Sequence, residues 1–255
     1  MTHSSRLPMF RLVRGPFAIV FVLVASVLVP SAADAGLIQW TAAVNAGTPA
    51  SFVATNVFTP SIVNIGPLSG DITYEFVVNG GDRAAAGSLL GSLIGGQSQA
   101  IRFEQWFNTD HYGATQYFVA DYDFSVPTAF DTDVDLAFVV NSGTGTTALF
   151  VNGVDTGATV PMALTLNGSV AFGGTDLGGG NFLGDDSFAG KIYGFATYDS
   201  ALTATELKAH ADAFFAVAEP ATWAMFVSAG LLVLLAGMAS RAPSGRAGSG
   251  TDAAA

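Results

Sequence analysis

Apolar and polar residues alternate with a period of two in one segment after another of this chain, and Gly, Asn, Asp and Pro separate the segments. In Ile72-Thr73-Tyr74-Glu75-Phe76-Val77-Val78 an extended backbone sends successive side chains to opposite sides. The same reading applies to residues 101–107 and 116–124, and to shorter pieces at 134–140, 148–151, 163–166, 170–172 and 190–198. Many short strands with hardly any helical periodicity between them predict an all-β fold, an antiparallel sandwich or barrel.

Local chemistry adds one turn and one helix. Asn152-Gly153 lies between Leu149-Phe150-Val151 and Val154-Asp155, and both residues tolerate the positive φ that a type I′ hairpin turn requires. After the last strand, Thr203 and Glu206 have the spacing of a capping box, and Leu202 with Leu207 that of a hydrophobic staple. These signals predict a helix from about residue 204 to 215.

The two ends differ from this body. Arg6, Arg11 and Arg14 precede a 13-residue apolar run, 17–29, which is followed by Pro30-Ser31-Ala32-Ala33-Asp34-Ala35. That is the layout of a secretory signal peptide, with Ala33 and Ala35 as the small residues of a signal-peptidase site and cleavage expected after Ala35. An uncleaved N-terminal anchor is the alternative. At the other end, residues 224–240 carry no charge, and Arg241 and Arg246 follow. As a helix this run would measure roughly 25 Å, a marginal span suited to a transient membrane stop with the arginines on the cytoplasmic side.

The expected organisation is therefore a signal peptide at 1–35, one β-sandwich domain at 36–216, a sorting segment at 217–246 and a polar tail at 247–255. The body fits a single core by size. With no cysteine, it has neither a disulfide framework nor a thiolate zinc site. Residues 36–218 contain only Arg83, Arg102, Lys191 and Lys208 as cations against 17 Asp and Glu, a balance that repels phosphate backbones and argues against nucleic acid as a partner.

Two stretches bear family resemblances. Val217-Ala218-Glu219-Pro220-Ala221-Thr222-Trp223, the apolar run and Arg241 resemble a PEP-CTERM sorting signal, with Ala218 where that family has its first proline and two separated arginines in place of a tight basic cluster. The resemblance implies a Gram-negative bacterium, passage through the inner membrane, cleavage near the motif by an exosortase and release towards the extracellular polysaccharide matrix. A plain C-terminal anchor is the alternative. Secondly, Leu149-Phe150-Val151-Asn152-Gly153-Val154, then residues 188–198, then Ala201-Leu202-Thr203 with Glu206, are similar to the closing half of concanavalin A-like laminin G (LamG) jelly rolls. This resemblance implies a two-sheet jelly roll, with carbohydrate as the ligand class by analogy. Tyr193-Gly194 replaces the acidic pair of that family, so no ligand or metal site that uses the pair transfers.

Catalytic signatures are absent: there is no G-x-S-x-G, H-E-x-x-H, Walker loop or G-x-G-x-x-G. Glycoside hydrolysis needs two carboxyl groups about 5–10 Å apart. Glu104 and Asp110 are the nearest imitation, and acids recruited from separate strands keep a glycan-cleaving enzyme as the alternative. No catalytic set is assigned. His111 reads as a solvated loop residue and His210 as a surface or semi-buried one. Trp40 reads as core.

Two groups of residues point to binding. Trp106, Phe107, Tyr112, Tyr117 and Tyr122 cluster in sequence, and Trp106, Tyr112 and Tyr117 are the candidates for a sugar platform. Asp121 and Asp123 project to one strand face, as do Asp131, Asp133 and Asp135, while Asp185-Asp186 follow a Gly-rich loop. Acids this close repel unless solvated or neutralised. Solvated acids are the plain reading. The alternative is a structural calcium ion, for which Asp121, Asp123, Asp185 and Asp186 are the candidate ligands. Asp131-x-Asp133-x-Asp135 is no EF-hand, since Leu136 and Ser142 occupy its glycine and glutamate positions. The expectation is a non-catalytic binding or structural protein, or else a protein-adhesion component of the matrix.

Overall fold

Strand β3 (Ile72–Gly80) is buried on both of its faces. Tyr74, Phe76 and Val78 enter the main core, while Thr73, Glu75 and Val77 point the other way and are equally buried. A strand of this kind needs a layer above and a layer below, and the fold supplies a second sheet on one side and two helices on the other. The structure is a computed structural model that describes residues 32–54, 60–82, 87–106, 109–183 and 186–216.

The first sheet runs in the order β1 (Ser51–Ala54), β14 (Gly190–Tyr198), β3, β8 (Asp133–Asn141), β9 (Thr146–Val151), β10 (Val154–Val160). The second runs β13 (Asn181–Phe182), β12 (Asp176–Gly178), β4 (Gly87–Ser92), β5 (Gln99–Glu104), β6 (His111–Gln116), β7 (Ala120–Pro127), and β11 (Ser169–Phe172) links β4 to β2 (Ser61–Asn64). Neighbours pair antiparallel except β12 with β4, so the molecule is an antiparallel two-sheet sandwich. Between the sheets, Phe76, Phe138 and Phe195 from one side meet Phe103, Tyr112, Phe124 and Phe172 from the other. Each fully buried aromatic of this kind contributes about 1.5–3 kcal/mol.

The outer face of the first sheet is roofed by α1 (Ala32–Ala46) and α2 (Ala204–Phe215). Helix α2 begins where its caps predict: the Thr203 hydroxyl accepts from the Glu206 backbone N–H, and the Glu206 carboxylate accepts from Thr203 N–H at 2.8 Å. At the β9–β10 hairpin Asn152 (φ 53°) and Gly153 (φ 71°) have the expected positive φ. A Cβ on Gly153 would also collide with the Lys208 backbone, so the turn docks under α2.

Several expectations are corrected. Residues 116–124 are not one strand but a hairpin turning at Tyr117-Phe118-Val119, because alternation continues through a turn that contains no Gly or Asn. The strand expected at 101–107 ends at Glu104. Residues 163–166 form no ladder: Leu164 and Leu166 enter the core, while the amides of Leu164 and Thr165 donate to Thr147 Oγ1 and Gln99 Oε1. Helix α1 is a second helix, in addition to the one that the Thr203 and Glu206 caps predict. Leu37, Trp40 and Val44 fix it to the sheet. Among the described residues no helix is long and apolar enough to cross a membrane. The signal segment before residue 32, the sorting motif Val217 to Trp223 and Arg241 lie outside the described residues.

Candidate functional site

Alternation along β5 sends Ile101 and Phe103 into the core and Arg102 to the opposite face of the second sheet. Arg102 is nevertheless completely buried. A buried guanidinium costs several kcal/mol unless its donors are used, and here they are. Nη1 forms an ion pair with Asp186, Nη2 donates to Tyr117 Oη at 2.9 Å, and Nε donates to Thr115 Oγ1 at 2.9 Å. The rings of Trp106 and Tyr117 stand 5.1 and 5.6 Å from its Cζ. Asp186 Oδ2 accepts from Tyr117 Oη at 2.6 Å and from Thr175 Oγ1 at 2.5 Å. Burial lifts the Tyr117 phenol above its ordinary range, and the nearby Arg102 charge opposes that rise. Thr115 Oγ1 in turn donates to Asp121 Oδ1 at 2.8 Å.

At one end of this network the β6–β7 hairpin borders a depression of about 340 Å³. It is lined by Trp106, Thr115, Gln116, Tyr117, Phe118 and Asp121, among others. Phe118 is 96% exposed and has φ 64°. A left-handed backbone costs a non-glycine residue about 1–2 kcal/mol, and an exposed phenyl returns nothing to the core. The turn therefore presents the Phe118 ring to solvent at the edge of the depression. Phe118 falls in the middle of the 116–124 segment whose alternation predicts one strand, and the signal that sets it apart is an apolar Phe-Val pair flanked on both sides by alternating residues.

The other sequence candidates separate. Trp106 and Tyr117 come together at the depression. Tyr112 does not: it is buried, its ring meets Phe103 edge-on, and its hydroxyl accepts from Ala129 N–H at 3.0 Å, so it is core. Asp121 and Asp123 do share the exposed face of β7, and Asp123 lies 3.0 Å from His111 Nδ1. His111 thus opens β6 rather than sitting in a free loop. Asp186 is paired with Arg102 and accepts from Tyr117 and Thr175, so its carboxylate is engaged within the protein. Asp185 and Phe107 lie outside the described residues. Among the described residues no three His, Asp or Glu side chains are grouped to hold a metal. Glu104 Oε1 accepts from Asp110 N–H at 2.9 Å, and burial raises its pKa.

Asp131, Asp133 and Asp135 do not act as one exposed set. Asp135 is buried beneath the helices together with Glu75, and one indole N–H, that of Trp40, faces both carboxyls, 3.1 Å from Asp135 Oδ2 and 3.3 Å from Glu75 Oε1. His210 is buried, not surface, with Nδ1 2.9 Å from Glu75 Oε2. Burial drives Glu75 up to about 8, raises Asp135, and lowers His210. Trp40 of α1 and His210 of α2 thus both reach the carboxyl pair on the sheet, and the cluster ties the roof to the strands beneath it. A larger groove of about 570 Å³ lies between the β9–β10 turn and α2, lined by Val154, Asp155, Lys208 and Asp212, without an aromatic ring.

A family model described as the Concanavalin A-like lectin/glucanases superfamily (laminin G type) matches residues 50–208. Comparison with curated proteins returns no match. Among solved structures, the CBM40 of the Ruminococcus gnavus IT-sialidase, bound to alpha2,3-sialyllactose, is 19% identical with a TM-score of 0.47, over 63% of this chain and 98% of that one. A SAP-like pentraxin from Limulus polyphemus is 16% identical with a TM-score of 0.46, over 62% and 78%. A carbohydrate-binding protein from Bacteroides ovatus, described as such by inference, is 19% identical with a TM-score of 0.46, over 61% of this chain and 46% of that one.

Proposed function

The chain belongs to the concanavalin A-like lectin/glucanases superfamily, and from that premise we propose that it is an exported, non-catalytic carbohydrate-binding protein of the cell envelope or extracellular polysaccharide matrix. The observation that carries the reading is the depression lined by Trp106, Tyr117 and Phe118 together with Gln116 and Asp121. A sugar ring presents a face of C–H groups and a rim of hydroxyls. The face packs on aromatic rings, and the rim donates to amide and carboxylate oxygens.

What the acids already do favours binding over cleavage. Asp186 is tied to Arg102, Glu104 accepts the Asp110 amide, and Glu75 and Asp135 lie under the helices. The terminal segments supply the address: signal peptidase cuts after Ala35, the 224–240 run holds the precursor in the inner membrane, and an exosortase cuts near Glu219. Because Leu37, Trp40 and Val44 all follow Ala35, the first cut spares the packing of α1.

The test is retention of the full chain on immobilised polysaccharide from the producing bacterium, with release of reducing sugar measured in parallel. Retention without release supports the reading. Release overturns it in favour of a glycan-cleaving enzyme, and failure to bind any glycan favours adhesion to protein. For sorting, the intact mass of the exported protein should end near Glu219; an undiminished C-terminus overturns that step.

A further inference from the structure

The charges around the depression are one-sided. Arg102 is the described cation beneath it, and each of its nitrogens already has a partner: Asp186, Tyr117 and Thr115. Trp106 and Tyr117 lie against its guanidinium, so an incoming anion would have to displace Asp186 and move a ring to reach it. Of the other described cations, Lys208 is paired with Asp212 on α2 and Lys191 lies on β14 of the first sheet. Asp121, in contrast, is exposed and lines the depression, and one of its oxygens is not used by Thr115. Asp123 stands two residues along the same face. A ligand therefore meets rings, amides, hydroxyls and a carboxylate, and no available positive charge among the described residues.

Resting on the carbohydrate reading above, we propose that this depression selects an uncharged sugar unit and rejects uronate, sialate and sulfate groups. Hydroxyl donors satisfy Asp121 and Gln116 without leaving a buried charge uncompensated. A carboxylate or sulfate on the ligand faces like charge at short range, and specificity arises as much from that repulsion as from attraction. The acidic body, with 17 Asp and Glu against four Lys and Arg in residues 36–218, extends the same bias to longer range at low ionic strength.

Matched probes test this directly. Tetrasaccharides of glucose, galactose and mannose, and the same chains oxidised at C6 to uronates, are titrated into the full chain by calorimetry in about 20 mM and about 300 mM salt, which span screening lengths of roughly 20 Å to 6 Å. The expected result is binding of at least one neutral chain, at least tenfold weaker binding of its uronate at low salt, and a smaller gap at high salt and in Asp121→Asn. Uronates bound as tightly as or more tightly than their parents, or a gap unmoved by both salt and Asp121→Asn, overturns the charge rule and leaves carbohydrate binding standing. If neither series binds while the wild-type fold is intact by circular dichroism, both readings fall.

Discussion

Gly194 leaves room for the indole of Trp40: a Cβ at position 194 would stand less than 3.0 Å from three carbons of that ring. The dipeptide that departs from the family's acidic pair thereby seats both helices. Gly194 admits Trp40 of α1, while Tyr193 packs on Phe214 of α2 and donates its hydroxyl to Asp133 Oδ1 at 3.1 Å. Gly194→Ala is expected to overpack this layer at a cost of about 1–3 kcal/mol. For a domain of this size that lowers Tm by roughly 2–12 °C. Calorimetric melting checks it, and an unchanged Tm would mean that α1 is not seated there.

Beneath that layer, the Glu75–Asp135 pair makes stability fall as pH rises. Burial raises both carboxyls, Glu75 to about 8, so the folded state keeps a proton that the unfolded chain releases above its ordinary carboxyl pKa. The loss therefore begins near pH 4.5 and continues until the folded pair itself ionises. His210, whose pKa burial lowers, contributes the opposite slope only below about pH 6.5, where the unfolded imidazole gains its proton. Glu206 at the α2 N-terminus is held low by the Thr203 amide, and burial pushes Tyr198 higher still, so neither titrates between these limits. Between pH 6.5 and 8 the carboxyl slope stands alone, at most about 1.4 kcal/mol per pH unit per proton. Glu75→Gln should flatten a plot of stability against pH in that window; a slope unchanged by the substitution would refute the shared proton.

Sequence reading recovered the elements whose signals are local. The alternation of β3, β8 and β14 and the caps of α2 lie within the elements themselves, and these bounds agree with the structure almost residue for residue. What escaped depends on distant partners. The burial of Asp135 needs Trp40, 95 positions away, and that of Arg102 needs Asp186, 84 positions away. A strand position occupied by a charge reads as solvent-facing until the fold supplies a roof. The helix α1 did leave a trace, since Leu37, Trp40 and Val44 recur at helical spacing, but three anchors in an Ala- and Gly-rich stretch are a thin signal. Of the site, Trp106 and Tyr117 were legible as clustered aromatics, whereas Tyr112 belonged to the core and Phe118 was hidden by alternation that runs through its turn.

The Arg102–Asp186 pair should be costly to break and cheap to replace. Arg102→Met leaves Asp186 buried without its counter-charge, a loss of about 3–5 kcal/mol. Adding Asp186→Leu removes the orphaned charge and should restore a large part of that loss, because well-packed apolar residues often substitute for a buried pair. Chemical denaturation of the single and double variants gives the coupling. A double variant no more stable than Arg102→Met would show that the pair is not the unit that matters.

Calcium should leave the fold indifferent. Asp186 spends its oxygens on Arg102, Tyr117 and Thr175, and Asp123 is turned to His111 and the Ser125 amide. Melting curves in EDTA and in millimolar Ca²⁺ are expected to coincide. A calcium-dependent rise in Tm that Asp121→Asn abolishes would instead assign an ion to the β7 face.

Phe118 sets binding against stability in a single residue. Its left-handed backbone is strained by about 1–2 kcal/mol, and its ring, almost wholly exposed, contributes no burial in return. Phe118→Gly removes the strain but frees the unfolded chain by a comparable entropy, about 0.5–1 kcal/mol, so Tm should hold or rise by a few degrees. Phe118→Asn, which tolerates the same φ with less backbone freedom, should raise it more clearly. Glycan affinity should move the other way. Losing one aromatic contact of about 0.5–1.5 kcal/mol weakens binding by roughly two- to tenfold. If Phe118 served only to close the hairpin, both variants would melt higher with affinity unchanged; a fall in Tm would mean that the ring packs against something in the free protein. Higher or equal Tm with weaker retention is the outcome that marks a residue kept at the cost of stability because a ligand uses it.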